Sequence, residues 1–386
     1  MRNPLPLSAI WVLGGLIALS AIAVDITLVA LPATAMAVEG DPARSGLIIT
    51  AYLAGFAPGQ LLWGMAGDRY GRRRTVLAGL LCFILATAAC ALATTFPALL
   101  AARVAQGFAG GSGPVLSRAI VRDVADDAGA ARLLALLTAI LGTAPLLAPV
   151  IGAALLAAID WRSIFWFTAI YGVLLTAVAV RYLPESRPAA QSMATGGVVT
   201  RTTMLLRDRD FRTGLALVAL PFGGYHTLLA LYPTVVIVEF GLAESIFTWL
   251  MAAAAACFVV GSTISRTLVA RVGMPSLVRI AIVLCCLGAC TAGVGTLAES
   301  IVMLVAGAGL YMLGVGQALP LATAIALRRA RDAAGWAAAI LGLVQVGGGA
   351  LLSLVATVTG EPLVSLPATL LVCALAALAV VAHGLR

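Results

Sequence analysis

Two residues of this sequence carry charge where charge is costly. Asp25 lies inside the apolar run 8–32, and Arg103 lies inside the run 97–117. An ionisable group in such a place marks a site that handles protons, ions or polar solutes. Asp25 stands seven residues before Pro32, and Arg103 six residues after Pro97. With a helical rise of about 1.5 Å per residue, both fall about 10 Å below the same outer boundary. Matched depth permits coupling between them. Desolvation favours a neutral carboxyl, a neighbouring guanidinium favours an ionised one, and the two opposed effects suit a group that exchanges a proton. A cationic or dipolar solute would compete with that proton for Asp25. The plainer alternative is a buried salt bridge, or an arginine bonded to helix carbonyls, with no proton role.

Other polar side chains belong to the same expectation. Gln106 follows Arg103 by three residues and shares its helix face; it either orients Arg103, touches a solute or makes a plain interhelical hydrogen bond. In the second half the candidates for solute contact are Tyr225, His226, Tyr232, Tyr311 and Gln317. A solute pocket needs an apolar lining with a few polar groups, and histidine is the side chain that titrates near neutrality. All seven cysteines lie in apolar runs, and Cys285, Cys286 and Cys290 have no nearby histidine. No metal or cofactor is expected.

The most distinctive motif is Gly64-Met65-Ala66-Gly67-Asp68-Arg69-Tyr70-Gly71-Arg72-Arg73-Arg74. Its glycines permit a tight turn and close helix approach. Asp68 is placed to accept from helix N-terminal amides or from an arginine. Gly64, Asp68, Arg69, Gly71 and Arg72 are therefore expected to form a conformational latch. Four arginines alone would make a simple anchor, but an anchor has no need of Asp68 or the paired glycines.

The elements that must position these residues follow from composition. Of 386 residues, 62% are hydrophobic and 10% charged, against about 25% charged in soluble domains. So few charges cannot build a water-facing surface. Runs of about 20 apolar residues span a bilayer as helices, and twelve are expected: 8–32, 44–66, 75–95, 97–117, 133–158, 163–182, 212–237, 246–268, 276–297, 300–323, 334–358 and 364–384. Alternating strands, the mark of a membrane β-barrel, are not visible. Every basic residue is arginine. All but Arg44, Arg103 and Arg162 fall on one side of the alternating topology, from Arg2 through Arg69, Arg118, Arg122, Arg187, Arg329 and Arg331 to Arg386. Positive residues stay cytoplasmic, so both termini are expected inside. The net charge of +8 is thus a topology signal, and no exposed basic domain for nucleic acid is expected.

A polar stretch divides the chain into 1–182, a linker 183–211, and 212–386, with six spans on each side. A weak repeat relates the halves. Arg69-Tyr70-Gly71 matches Arg271-Val272-Gly273, and Gly110, Pro114 and Arg122 match Gly316, Pro320 and Arg328. The fold expected is all-α and integral to the membrane, with twelve transmembrane helices in two pseudo-symmetric six-helix bundles. Parallel repeats of this kind place the solute site between halves near mid-membrane.

The Gly64–Arg74 segment resembles the signature loop of the major facilitator superfamily. The run Asp25 to Leu31-Pro32 and the motif Arg103-Val104-Ala105-Gln106-Gly107 are similar to those of its drug:proton antiporters. Arg118-Ala119-Ile120-Val121-Arg122-Asp123, Trp161-Arg162-Ser163 and Leu183-Pro184-Glu185-Ser186 are close to the Bcr/CflA drug-resistance subfamily. Ala144, Ala148 and Ala153 stand where that family's fifth-span motif usually has glycine. The resemblance implies proton-coupled efflux of small amphipathic compounds by alternating access, in a bacterial inner membrane and as a monomer. The other readings are a carrier of one metabolite, such as an amino acid or sugar, and a polytopic membrane enzyme. The last would need a cluster of carboxylates, histidines or metal ligands, and there are two histidines in all. No Gly-x4-Gly-Lys-Ser/Thr loop is present, so ATP is not the expected energy source.

Overall fold

A computed structural model of the protein describes residues 7–124, 127–186, 198–328 and 334–384. Arg2, Arg187, Arg329, Arg331 and Arg386 lie outside the described residues, as does 188–197 of the expected linker. The described chain is almost wholly helical, with no strand among the described residues. In order, the helices are α1 (Leu7–Asp25), α2 (Leu31–Ala37), α3 (Leu47–Tyr70), α4 (Arg72–Leu92), α5 (Phe96–Gly110), α6 (Ser112–Val124), α7 (Asp127–Ala158) and α8 (Trp161–Tyr182). They continue with α9 (Val198–Arg207), α10 (Arg209–Pro233), α11 (Glu244–Val272), α12 (Met274–Leu297), α13 (Ile301–Leu327), α14 (Ala334–Thr359) and α15 (Pro362–Gly384).

Among the described residues, ten helical segments are long and apolar enough to cross a membrane. The other two expected spans have helical counterparts of different form. The run 97–117 is divided at Gly111 into α5 and α6, and 133–158 lies within α7. Helix is required here because hydrocarbon offers the backbone no hydrogen bond. Side chains mark several starts: Asp160 accepts from Ser163 N at 3.0 Å, and Asp208 from Phe211 N at 2.8 Å, each serving an amide the helix leaves unpaired.

The chain separates into two compact units. One comprises Met1–Gly40 with Ala51–Ala194, the other Asp41–Thr50 with Thr195–Arg386. In the first, α3 and α5 pack through glycine: a Cβ at Gly55 would stand 2.0 Å from the Val104 carbonyl oxygen, and one at Gly107 1.9 Å from that of Tyr52. In the second, α11 and α13 meet the same way, with Gly261 against Leu313 and Gly316 against Phe258 at 2.1 and 2.0 Å. Helices in lipid associate by such close packing, since apolar burial gives no net drive there. The sequence repeat also has a shared backbone form. Gly71 and Gly273 hold φ of 94° and 84° with ψ of 149° and 147°, each at the start of the following helix. Positive φ of this kind favours glycine.

Gly107→Ala is expected to cost about 1–3 kcal/mol through overpacking. Gly293→Ala, whose Cβ meets only Pro367 at 3.5 Å, should be neutral or stabilising. Thermal melting of the two purified variants in detergent checks the contrast; equal melting would refute the packing argument.

Candidate functional site

Asp25 is the last residue of α1, and the helix stops there. A single turn of 3-10 helix at Leu28–Ala30 and the short α2 follow. The break has a local cause. Pro32 has no amide to give the Leu28 carbonyl and its ring crowds that carbonyl. The hydroxyl of Thr27 turns back to the Val24 carbonyl at 2.8 Å. The sequence pattern predicts one continuous span over 8–32; the structure instead puts the carboxylate at a discontinuity. Asp25 is 5% exposed. Among the described residues, no hydrogen bond or ion pair reaches its carboxylate.

Arg103 on α5 is fully buried and does not close an ion pair with Asp25. Its Nη1 donates to the Ala23 carbonyl at 3.2 Å and to Gln106 Oε1 at 2.6 Å. Gln106 in turn donates to Thr87 at 2.9 Å. The guanidinium carbon lies 4.7 Å from the Tyr52 ring centroid and 5.8 Å from that of Phe165. Such stacking suits a planar guanidinium and not an ammonium. Tyr52 lies within electrostatic reach of both Arg103 and Asp25, and its hydroxyl donates to the Ser20 carbonyl at 3.2 Å. Arginine and aspartate thus share one neighbourhood, with arginine bound to the α1 backbone two residues before the carboxylate. Gln106 orients the arginine. Tyr52 was not marked by sequence reasoning, because an aromatic in an apolar run carries no distinguishing pattern.

The residues expected to form a latch lie in the same unit. Arg72 pairs with Asp68 at 2.6 Å and with Asp123 at 2.9 Å. Its backbone amide donates to Glu185 Oε1 at 2.8 Å, so Glu185 serves the N-terminus of α4, where negative charge is favourable. Arg73 donates to the Val180 carbonyl at 2.6 Å. Gly71 supplies the turn, and Gly64 approaches Val115 closely. Arg69 lies 5.3 Å from the Tyr70 ring. Asp123 and Glu185 complete the arrangement. Both stand in segments notable in the sequence only for their resemblance to relatives.

In the second unit, Tyr225 and His226 sit together on α10, their rings 5.3 Å apart. Tyr311 is placed differently. It is buried in the helix packing, its hydroxyl donating to the Pro221 carbonyl at 3.3 Å and filling the space left by Gly224. Gln317 is buried on α13, where its backbone carbonyl accepts from Ser265 at 2.7 Å. Trp336 is a packing residue that donates to Thr202 of α9 at 2.9 Å.

A multi-pass helical protein with a lone carboxylate at a broken helix is built to move small molecules across a membrane, not to transform them. Residues 13–357 match the family description Major Facilitator Superfamily, and the chain belongs to that superfamily. It is 30% identical over 352 residues to the uncharacterized MFS-type transporter YdgK of Bacillus subtilis, covering 90% of this chain and 88% of that one. It is 38% identical over 167 residues to the multidrug resistance protein MdtL of Escherichia coli O81, a match spanning 43% of each. Among solved structures, a D-xylose-proton symporter aligns with a TM-score of 0.76 at 17% identity over 95% of both chains. The human organic anion transporter MFSD10 aligns at 0.66 and 18%, covering 97% of this chain and all of that one. These two likenesses establish the fold.

Arg103→Lys keeps the charge but loses the planar fork. The variant is expected to be less stable than wild type by about 1.5–3 kcal/mol, the range for a charge-assisted hydrogen bond, and Gln106→Ala should fall in the same range. A double-mutant cycle checks the link: coupling near zero would mean that Gln106 does not hold the arginine.

Proposed function

We propose that this transporter exports small amphipathic compounds in exchange for protons, by alternating access between bundles 1–182 and 212–386 joined by 183–211. It would be of the drug:proton antiporter type nearest the Bcr/CflA subfamily. It would act as a monomer in a bacterial inner membrane with both termini in the cytoplasm. The observation that carries this reading is the solitary carboxylate of Asp25 at the α1 break. A carboxylate out of water without a partner is costly. A proton removes that cost, and so does a cationic or dipolar group, but one carboxylate does not serve both together. Competition for one group is the elementary condition for antiport. A membrane potential adds about 2.3 kcal/mol per charge per 100 mV.

Arg103, held by Gln106 and stacked on Tyr52, contributes a fixed positive charge near the same carboxylate. Arg72, Asp68 and Asp123, with Gly64, Arg69 and Gly71 around them, would act as the latch that opens and closes during the cycle. Resemblance to MdtL supports export of drug-like compounds over carriage of a single metabolite.

Everted membrane vesicles loaded by ethidium uptake test the reading. Asp25→Asn is expected to reduce proton-driven ethidium transport at least about tenfold, equivalent to about 1.4 kcal/mol, at unchanged protein level. Ethidium counterflow without a proton gradient should persist. Undiminished proton-driven transport in the variant would sink the mechanism.

A further inference from the structure

The surroundings of His226 resemble an unfinished binding site more than a packed core. The Phe222 ring stands edge-on to the imidazole, with centroids 4.8 Å apart and planes at 84°. Tyr225 lies 4.8 Å from Phe222 and 6.2 Å from Phe258 of α11. The imidazole is 4% exposed, and its buried Nδ1 has no hydrogen-bond partner. From α14 the backbone comes close: a Cβ at Gly349 would stand 2.0 Å from Nδ1. A Cβ at the adjacent Gly348 would meet nothing within 4 Å. Phe222, Tyr225 and Phe258 are each half-buried, so ring surface remains to be covered.

These features fit together chemically. If the position served packing alone, a leucine or phenylalanine would fill it without leaving a buried nitrogen short of a partner, which is costly away from water. A neutral imidazole has one donor and one acceptor nitrogen, suited to a hydroxyl or amino group. The aromatic rings around it favour offset or edge contact with another flat ring. No carboxylate takes part in these ring contacts, so the recognition is by shape and hydrogen bonding and not by charge.

We propose that Phe222, Tyr225, His226 and Phe258, beside the open face of Gly348, form a subsite for the planar aromatic part of a transported molecule. In it, His226 hydrogen-bonds a ring hydroxyl or amino substituent. The claim that this ring belongs to exported cargo rests on the export reading; the subsite itself does not.

Three probes separate the contributions: 2-naphthol, 2-methylnaphthalene with the hydroxyl removed, and decahydro-2-naphthol with the flat ring removed. Binding to the purified full chain is measured by displacement of 2-naphthol fluorescence. The expected result is that 2-naphthol binds at least about tenfold tighter than either analogue. Phe222→Leu and Phe258→Leu should abolish the preference for the flat ring. His226→Phe should abolish only the preference for the hydroxyl. Gly348→Phe, which fills the open space, should block binding even if another variant fails to fold. Absence of 2-naphthol binding, equal affinity for all three probes, or affinities unmoved by the variants would overturn the subsite. Selective binding without proton-driven 2-naphthol movement in vesicles would leave the subsite standing and remove the export reading.

Discussion

Hydrocarbon supplies no hydrogen bonds, and this constraint orders the whole molecule. Each polar atom within a span must find a protein partner or wait for one that comes and goes. Arg103 belongs to the first kind, drawn into a lattice of Gln106, Thr87, the Ala23 carbonyl and the Tyr52 ring. Asp25 belongs to the second, a carboxylate at a helix end that no side chain or amide engages among the described residues. A transport site needs both kinds. On the proposed mechanism the held cation fixes the local electrostatics, and the unsatisfied carboxylate is what a proton or solute changes.

Helical class and span positions were legible because they depend on composition over long windows, where lipid admits few alternatives. That Asp25 and Arg103 fall in one neighbourhood was also legible, since position along each helix follows from residue count. Their direct pairing was not. Whether two side chains at equal depth touch depends on helix rotation and on what stands between, and here Tyr52 and the α1 backbone take the guanidinium. The break after Asp25 left a trace in Pro32 and Thr27, but proline within membrane helices is common, and a kink is as compatible with it as an ending. Gly111 likewise divides α5 from α6 without any mark distinguishing it from Gly110.

The polar residues of the second half show the same limit. Tyr225, His226, Tyr311 and Gln317 read alike in sequence, as polar groups in apolar runs. Packing sorts them. Tyr311 reaches the Pro221 carbonyl within its own unit, so its hydroxyl is already used. His226 faces the bare backbone of Gly349 instead, and that contact is invisible until α10 and α14 are brought together.

The two copies of the interhelical turn separate what a fold needs from what a switch needs. Gly71 and Gly273 take nearly the same backbone angles, so the turn geometry depends on glycine and not on charge. Around Gly71 stand Asp68, Arg72, Asp123 and Glu185, and a Cβ there would meet the Glu185 carboxylate at 2.8 Å. Around Gly273 a Cβ would meet nothing within 4 Å, and Ala270 and Met274 stand where the first copy has Asp68 and Arg72. If the charges were needed to form the turn, the second copy would lack the conformation. It has the conformation without them, which leaves the ion pairs of the first copy free for another task. Exposed pairs add little to stability, but Arg72 is largely buried between its two acids. Parting it from Asp123 therefore requires rehydration of both groups, which is the barrier that the proposed latch would have to cross to open.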